Sequence, residues 1–211
     1  MSKKLNRIRW QLAILLAVAV IGSLASNAFA SKGTGWSTDA AHSEINFSVK
    51  HFFTPVTGSF EEFEVELDYD AENPENSTVQ AKINVASVNT GNERRDNHLR
   101  TGDWFEAEEY PHMTFKSASV RKISENQLIA SGPLTIKGQS REVELPITLL
   151  GTQPIPEQMQ QMLGGTTKVA SFNASMSIDR GDFGVGVGSW AATMVVGSEV
   201  EIEILLEAHN K

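Results

Sequence analysis

The chain has 211 residues, no cysteine, and 26 acidic against 18 basic side chains. That balance argues against nucleic acid, whose phosphates demand a basic face, and against electrostatic adsorption to anionic lipid. With no cysteine there is no disulfide in any compartment, so stability rests on an ordinary core of the size that one domain supplies.

The first thirty residues read as a leader. Lys3, Lys4, Arg7 and Arg9 precede an apolar run from Leu12 to Leu24, and Ala28-Phe29-Ala30 supplies the small-x-small pattern at which signal peptidase cuts. The run is short for a membrane span and no stop-transfer segment follows it. No cysteine is present to anchor a lipoprotein. The expectation is export to the periplasm with cleavage after Ala30. A single domain over residues 31–211 would remain, with no stable membrane insertion afterwards. The leader holds four basic residues and no acidic one, so its removal takes the net charge from −8 to −12.

From residue 44 onward, period-2 alternation dominates. Ile45, Phe47 and Val49 alternate with polar neighbours, as do Phe63, Val65, Leu67 and Tyr69, and then Val79, Ala81, Ile83 and Val85. Residues 113–120 are a weaker strand candidate. Leu128, Ala130, Leu134 and Ile136 share one face of a run interrupted by Gly132-Pro133. Val143, Leu145, Ile147 and Leu149 follow, then Ala170, Phe172, Ala174, Met176 and Ile178. Residues 190–196 are again weak, and Val200, Ile202, Ile204 and Leu206 close the series. One dry and one wet face per strand marks an antiparallel sheet. Eight or nine such strands can close as a barrel or stack as a sandwich, and the pattern leaves both open.

Two segments depart from the alternation. Residues 89–100 predict a short helix, with Thr90 and Glu93 as a capping box and Gly102 as a stop. In residues 152–167, Pro154 and Pro156 precede Met159, Met162 and Leu163 at helical spacing, which fits either an amphipathic lid or a plain loop.

The predicted helix holds the densest group of chemically capable side chains. Arg94, Arg95 and His98 share a surface, and two guanidinium groups there would clamp a phosphate or carboxylate head group. The alternative is that Arg95 and Asp96 are structural. Asp179, Arg180 and Asp182 before Phe183-Gly184 read as a turn held by ion pairs, or as a second polar contact to a ligand. The five histidines (42, 51, 98, 112 and 209) show no metal-site spacing, so no metal and no cofactor are expected. No Gly-x-Ser-x-Gly elbow is present, and Gly184 to Gly188 lacks the lysine and the helix of a phosphate loop. Small residues on inward faces (Ala81, Ala130, Gly132, Ala170 and Ala174) would leave volume inside.

These residues resemble the YceI family. The resemblance is carried by His42-Ser43-x-Ile45-x-Phe47-x-Val49-x-His51 with Val56-x-Gly58-x-Phe60, and by Asn92-Glu93-Arg94-Arg95-Asp96-x-His98-Leu99 with Trp104-Phe105. Tyr110-Pro111-x-x-Thr114-Phe115-Lys116-Ser117, Gly132-x-Leu134-Thr135-Ile136-x-Gly138 and Ile178-x-Arg180-x-Asp182-Phe183-Gly184 follow in order, over residues 36–208. Trp104 stands where the family more often has Phe.

The resemblance implies an all-β, extended, eight-stranded antiparallel lipocalin-like barrel with an internal apolar tunnel. It also implies a long-chain ligand, a polyisoprenoid of the isoprenoid quinone or polyprenyl phosphate type or a fatty amide. Phe47, Val49, Phe63, Val65, Leu67, Ala81, Ile83, Leu99, Trp104, Phe105, Phe115, Leu134 and Phe172 would then line the tunnel. Arg94, Arg95 and His98 would meet the head group, with Asp96, Arg180 and Asp182 structural.

The leading expectation is a non-catalytic lipid carrier. A hydrolase acting on a lipid head group through His98 with Asp96 or Arg95, and a secreted stress-response or partner-binding protein, are the alternatives. A homodimer is left open.

Overall fold

The structure, a computed structural model, describes residues 35–192 and 194–211; the leader expected over residues 1–30 lies outside them. The described residues form twelve strands and two short α-helices. The strands are β1 (Trp36–Thr38), β2 (Glu44–His51), β3 (Thr54–Phe60), β4 (Phe63–Asp68), β5 (Thr78–Asn84) and β6 (Val88–Asn89). They continue with β7 (His112–Lys116), β8 (Ser119–Lys122), β9 (Gln127–Ile136), β10 (Gln139–Pro154), β11 (Lys168–Asp179) and β12 (Val196–Asn210). The helices are α1 (Glu93–Leu99) and α2 (Glu157–Gln160).

All the strands belong to one antiparallel sheet in the order β4-β5-β7-β9-β10-β11-β12-β2-β3-β6, with β1 on β12 and β8 on β9. The sheet curls into a half-barrel that brings the alternating apolar residues to its inner face. No ladder joins its two ends among the described residues. Instead β1, paired to β12, reaches the β4 side through Thr38 Oγ1 donating to Val65 O (2.7 Å) and Trp36 Nε1 donating to Tyr69 O (3.0 Å).

The strand count exceeds the eight expected because β1, β3 and β6 form where the alternation marked no strand, and because one expected run divides in two. Residues 113–120 divide into β7 and β8 at Ser117-Ala118, and both pair with β9. Gly132 makes this possible: a Cβ there would lie 2.1 Å from Lys116 O, so only glycine lets the two backbones approach. Gly132-Pro133 is therefore no interruption, and β9 runs unbroken through it to the turn at Lys137-Gly138. Both turn residues have positive φ (47° and 70°), as a tight two-residue hairpin requires.

β11 and β12 pair without a slip from Lys168↔Asn210 to Asp179↔Glu199. Beyond that point the β12–β2 ladder is irregular between Val196 and Val200. The weak candidate over 190–196 starts late: Gly188–Trp190 form a 3-10 turn, and β12 begins only at Val196.

The cap of α1 also differs from the sequence reading. Asn92, not Thr90, accepts from Arg95 N, while Thr90 is held by Asp96. In the 152–167 segment, Met159, Met162 and Leu163 are exposed around the one-turn helix α2.

Candidate functional site

The inner face leaves a cavity of about 220 Å³. Every long strand contributes alternate side chains to its wall: Ile45, Phe47 and Val49 from β2, Val65 and Leu67 from β4, and Ala81 and Ile83 from β5. Phe115 comes from β7, Leu134 from β9, Phe172, Ala174 and Met176 from β11, and Ile202 and Ile204 from β12. Leu99, Trp104, Phe105, Phe183 and Val185, which lie between strands, enclose one end together with Arg180.

All the wall positions read from the sequence lie here except Phe63, which packs against the core outside the wall. Of the small inward residues, Ala81 and Ala174 open space in the cavity. Ala130 and Ala170 are fully buried and let neighbours pack tightly instead. Met159, Met162 and Leu163 do not reach the cavity, so their segment is no lid over it.

A dry apolar cavity of roughly 150 Å³ already takes a small hydrocarbon, and ligand pockets run upward from roughly 300 Å³. The present volume lies between the two. That is room for a short apolar segment, and Met113 and Met176 in the wall are side chains of the adaptable kind.

The closed end is aromatic. Trp104 packs on Trp190 (5.7 Å between ring centroids), and His98 stands edge-on to both (6.1 and 5.1 Å). The Trp104 Nε1–H is buried and has no acceptor among the described residues. A buried donor left unpaired costs about 1–3 kcal/mol, so an acceptor brought against this atom would be favoured.

Arg180 is 5% exposed, and all its donors go to backbone carbonyls. Nε donates to Gly197 O (2.9 Å), Nη2 to Trp190 O (2.9 Å) and Val196 O (3.0 Å), and Nη1 to Val185 O (2.9 Å) and Gly186 O. The ion-paired turn expected from the sequence is thus a carbonyl cage. Asp179 caps the turn by accepting from Gly181 N (2.7 Å), and Asp182 points to solvent. Burial pushes the guanidinium pKa below its usual value, with Asp179 opposing, yet arginine remains charged.

The expected arginine clamp is not assembled. Arg95 directs Nε to Thr90 Oγ1 (2.6 Å) and Nη2 to Thr90 O (2.8 Å), and Asp96 accepts from Thr90 N (2.9 Å) and Thr90 Oγ1 (2.5 Å). Both therefore fold the loop before α1. Arg94 is exposed, and His98 Nε2 lies 3.4 Å from Asp103 Oδ2 rather than against Asp96 or Arg95. None of Arg94, Arg95 and His98 lines the cavity.

Two features escaped the sequence reading. Phe52 and Phe53, at the β2–β3 turn, are solvent-exposed apolar side chains, Phe53 at 95%. Asp39, His42, Glu207 and His209 converge from the two ends of the domain sequence.

A model of the YceI-like domain matches residues 36–208. The chain belongs to the YceI-like family. A UPF0312 protein of Staphylococcus epidermidis is 34% identical over 177 residues, spanning 82% of this chain and 96% of that protein, and one of Staphylococcus aureus is 32% identical over the same shares.

Among solved structures, Burkholderia cenocepacia BcnA matches with a TM-score of 0.73 at 28% identity, over 81% of this chain and 99% of that one. The Campylobacter jejuni YCEI protein matches with a TM-score of 0.67 at 30% identity, over 75% and 86%. A polyisoprenoid binding domain from Saccharophagus degradans shares the fold (TM-score 0.62, 16% identity, 84% and 99%). The YceI-like assignment agrees with the curled sheet and with a binding rather than a catalytic site.

Proposed function

We propose that this chain is a periplasmic carrier for a long-chain amphiphilic lipid, a polyisoprenoid of the quinone or polyprenyl phosphate type, whose apolar tail lies in the cavity. The observation that carries the reading is the wall itself: an internal cavity lined almost wholly by aliphatic and aromatic side chains from every long strand. Such a wall offers transfer energy and no reactive group. Each buried methylene contributes about 0.8 kcal/mol, offset in part by the ordering of a flexible tail. The polyisoprenoid binding domain of the same fold supports the ligand class, and the leader of residues 1–30 supports the compartment.

The polar end of the ligand meets Trp104 rather than the arginines, because Trp104 Nε1 is a buried donor awaiting an acceptor in the enclosing residues. A hydroxyl, carbonyl or amide oxygen satisfies it.

Native mass spectrometry with solvent extraction of the protein purified from its own cells tests the reading. A co-purifying adduct whose fragments show isoprene repeats supports it, and acyl repeats redirect it to fatty amides. A chain free of adduct that takes up no added polyprenol overturns it. Osmotic-shock fractionation tests the compartment separately: recovery in the cytoplasm with residues 1–30 intact removes the periplasmic part.

A further inference from the structure

Outside the cavity, on the opposite face of β12, four side chains turn their donor atoms toward one point. Glu207 and His209 are two apart on β12 and so share a face, while Asp39 and His42 belong to the 3-10 turn (Ala40–His42) and its cap between β1 and β2. The atoms form a ring that alternates oxygen and nitrogen. Asp39 Oδ2 lies 3.0 Å from His42 Nδ1, which lies 4.0 Å from Glu207 Oε1. Glu207 Oε1 lies 2.9 Å from His209 Nε2, which returns to Asp39 Oδ2 at 3.6 Å.

We propose that these four residues are a binding site for a divalent transition-metal ion of the zinc class. Zinc holds nitrogen and oxygen ligands at about 2.0–2.2 Å in a tetrahedron, which places neighbouring donors about 3.3–3.5 Å apart. The four observed edges bracket that spacing, and the donor atoms of Asp39, His42 and Glu207 all lie within 4.8 Å of one another. These three form the core of the site, and a side-chain rotation of His209, already in contact with Glu207 and Asp39, brings in the fourth ligand. Two imidazoles and two carboxylates suit zinc, copper or nickel, whereas calcium and magnesium demand oxygen shells of higher number. Two carboxylates and a dication sum to zero charge.

The scaffold holds the ring before any ion arrives. Asp39 Oδ1 is occupied by Ala41 N (2.9 Å), which turns Oδ2 to the centre. Asp39 N donates to Glu207 O (2.9 Å). Ser43 Oγ donates to Asp39 O (2.7 Å) and accepts from Glu207 N (3.1 Å), so the turn and the strand are tied together behind the site. The side chain of His42 is 68% exposed and those of the other three are 22–30% exposed, which leaves a path for the ion from solvent. An ion here would pin the start of the domain to its last strand.

Zinc chloride titrated by calorimetry into the chelator-stripped full-length protein tests this. The expected result is one ion per chain, with affinity falling at least tenfold in His209→Ala and in His42→Ala and unchanged in His112→Ala. The cobalt-loaded protein should show the intense visible bands of a tetrahedral site, absent from the His42→Ala variant. His42 is exposed enough that its replacement leaves the fold intact, as circular dichroism would verify. No saturable binding, or binding indifferent to both histidine variants, overturns the proposal.

Discussion

The guanidinium carbon of Arg180 lies 5.4 Å from the centre of the Trp104 ring, and no carboxylate completes the pair. The cation is held instead by backbone carbonyls of the 185–190 loop and of the start of β12. Val196 borders and Gly197 falls in the irregular stretch of the β12–β2 ladder, beyond the last β11–β12 pair, and Arg180 donates to both. A break in one ladder is thus filled by a side chain from the neighbouring strand's end, as buried carbonyls require. The same side chain positions the indole that closes the cavity.

Replacing Arg180 with Met therefore strands several buried carbonyls at once. The expected loss is about 3 kcal/mol or more, a melting-temperature drop of roughly 6–12 °C for a domain of this size. Urea unfolding of the variant measures it, and a loss below about 1 kcal/mol would show that solvent replaces the cage.

Gly186 tests the same corner from the backbone side. Its φ is +60°, and a Cβ there would lie 2.5 Å from Trp104 Cζ3 and 2.6 Å from Arg180 Nη1. Gly186→Ala should cost about 1–3 kcal/mol through strain and overpacking together. Because the methyl displaces the indole, tryptophan fluorescence should shift with the loss of stability; an unshifted spectrum would place the strain elsewhere.

Asp70 supplies a pH dependence. Its carboxylate accepts from Asn73 N (2.8 Å), Asn76 Nδ2 (3.3 Å) and Glu72 N (3.0 Å), and the Asn73 bond foremost holds its pKa below the usual carboxylate value. A depressed folded-state pKa contributes stability that is present above the unfolded value of about 3.9 and lost as pH falls through the folded one. Asp70→Asn should therefore narrow the stability difference between pH 6 and pH 2. Identical pH profiles for the two proteins would contradict this.

Much of the cavity was legible because the inward and outward sets of an isolated strand are written in its own alternation. Phe47, Ala81, Leu134 and Phe172 needed no partner to be placed. What was illegible depended on which backbone groups lacked partners. Arg95 looked like a free clamp until Thr90 was seen to require both it and Asp96. Asn92 and Thr90 are equally good caps in isolation, and that same Thr90–Asp96 contact decides between them. The Asp39–His42–Glu207–His209 ring was invisible for a different reason: its members come from opposite ends of the domain, and only the β1–β12 pairing brings them together.

Trp104→Phe separates packing from recognition at the closed end. Phenylalanine keeps an aromatic ring against Arg180 and Trp190 and removes the unpaired Nε1–H. Deleting a buried donor without a partner relieves about 1–3 kcal/mol, which offsets the packing lost with the larger indole, so unfolding free energy should change by less than about 1.5 kcal/mol. Binding should change selectively. A polyprenol, whose oxygen accepts from the indole, should lose about 1 kcal/mol, roughly fivefold in affinity, while a hydrocarbon of equal length, such as squalene, should lose little. Competition between the two, read by native mass spectrometry, gives the ratio directly. A ratio that moves fivefold toward the hydrocarbon places the ligand's oxygen at Trp104, and an unchanged ratio places it elsewhere in the cavity.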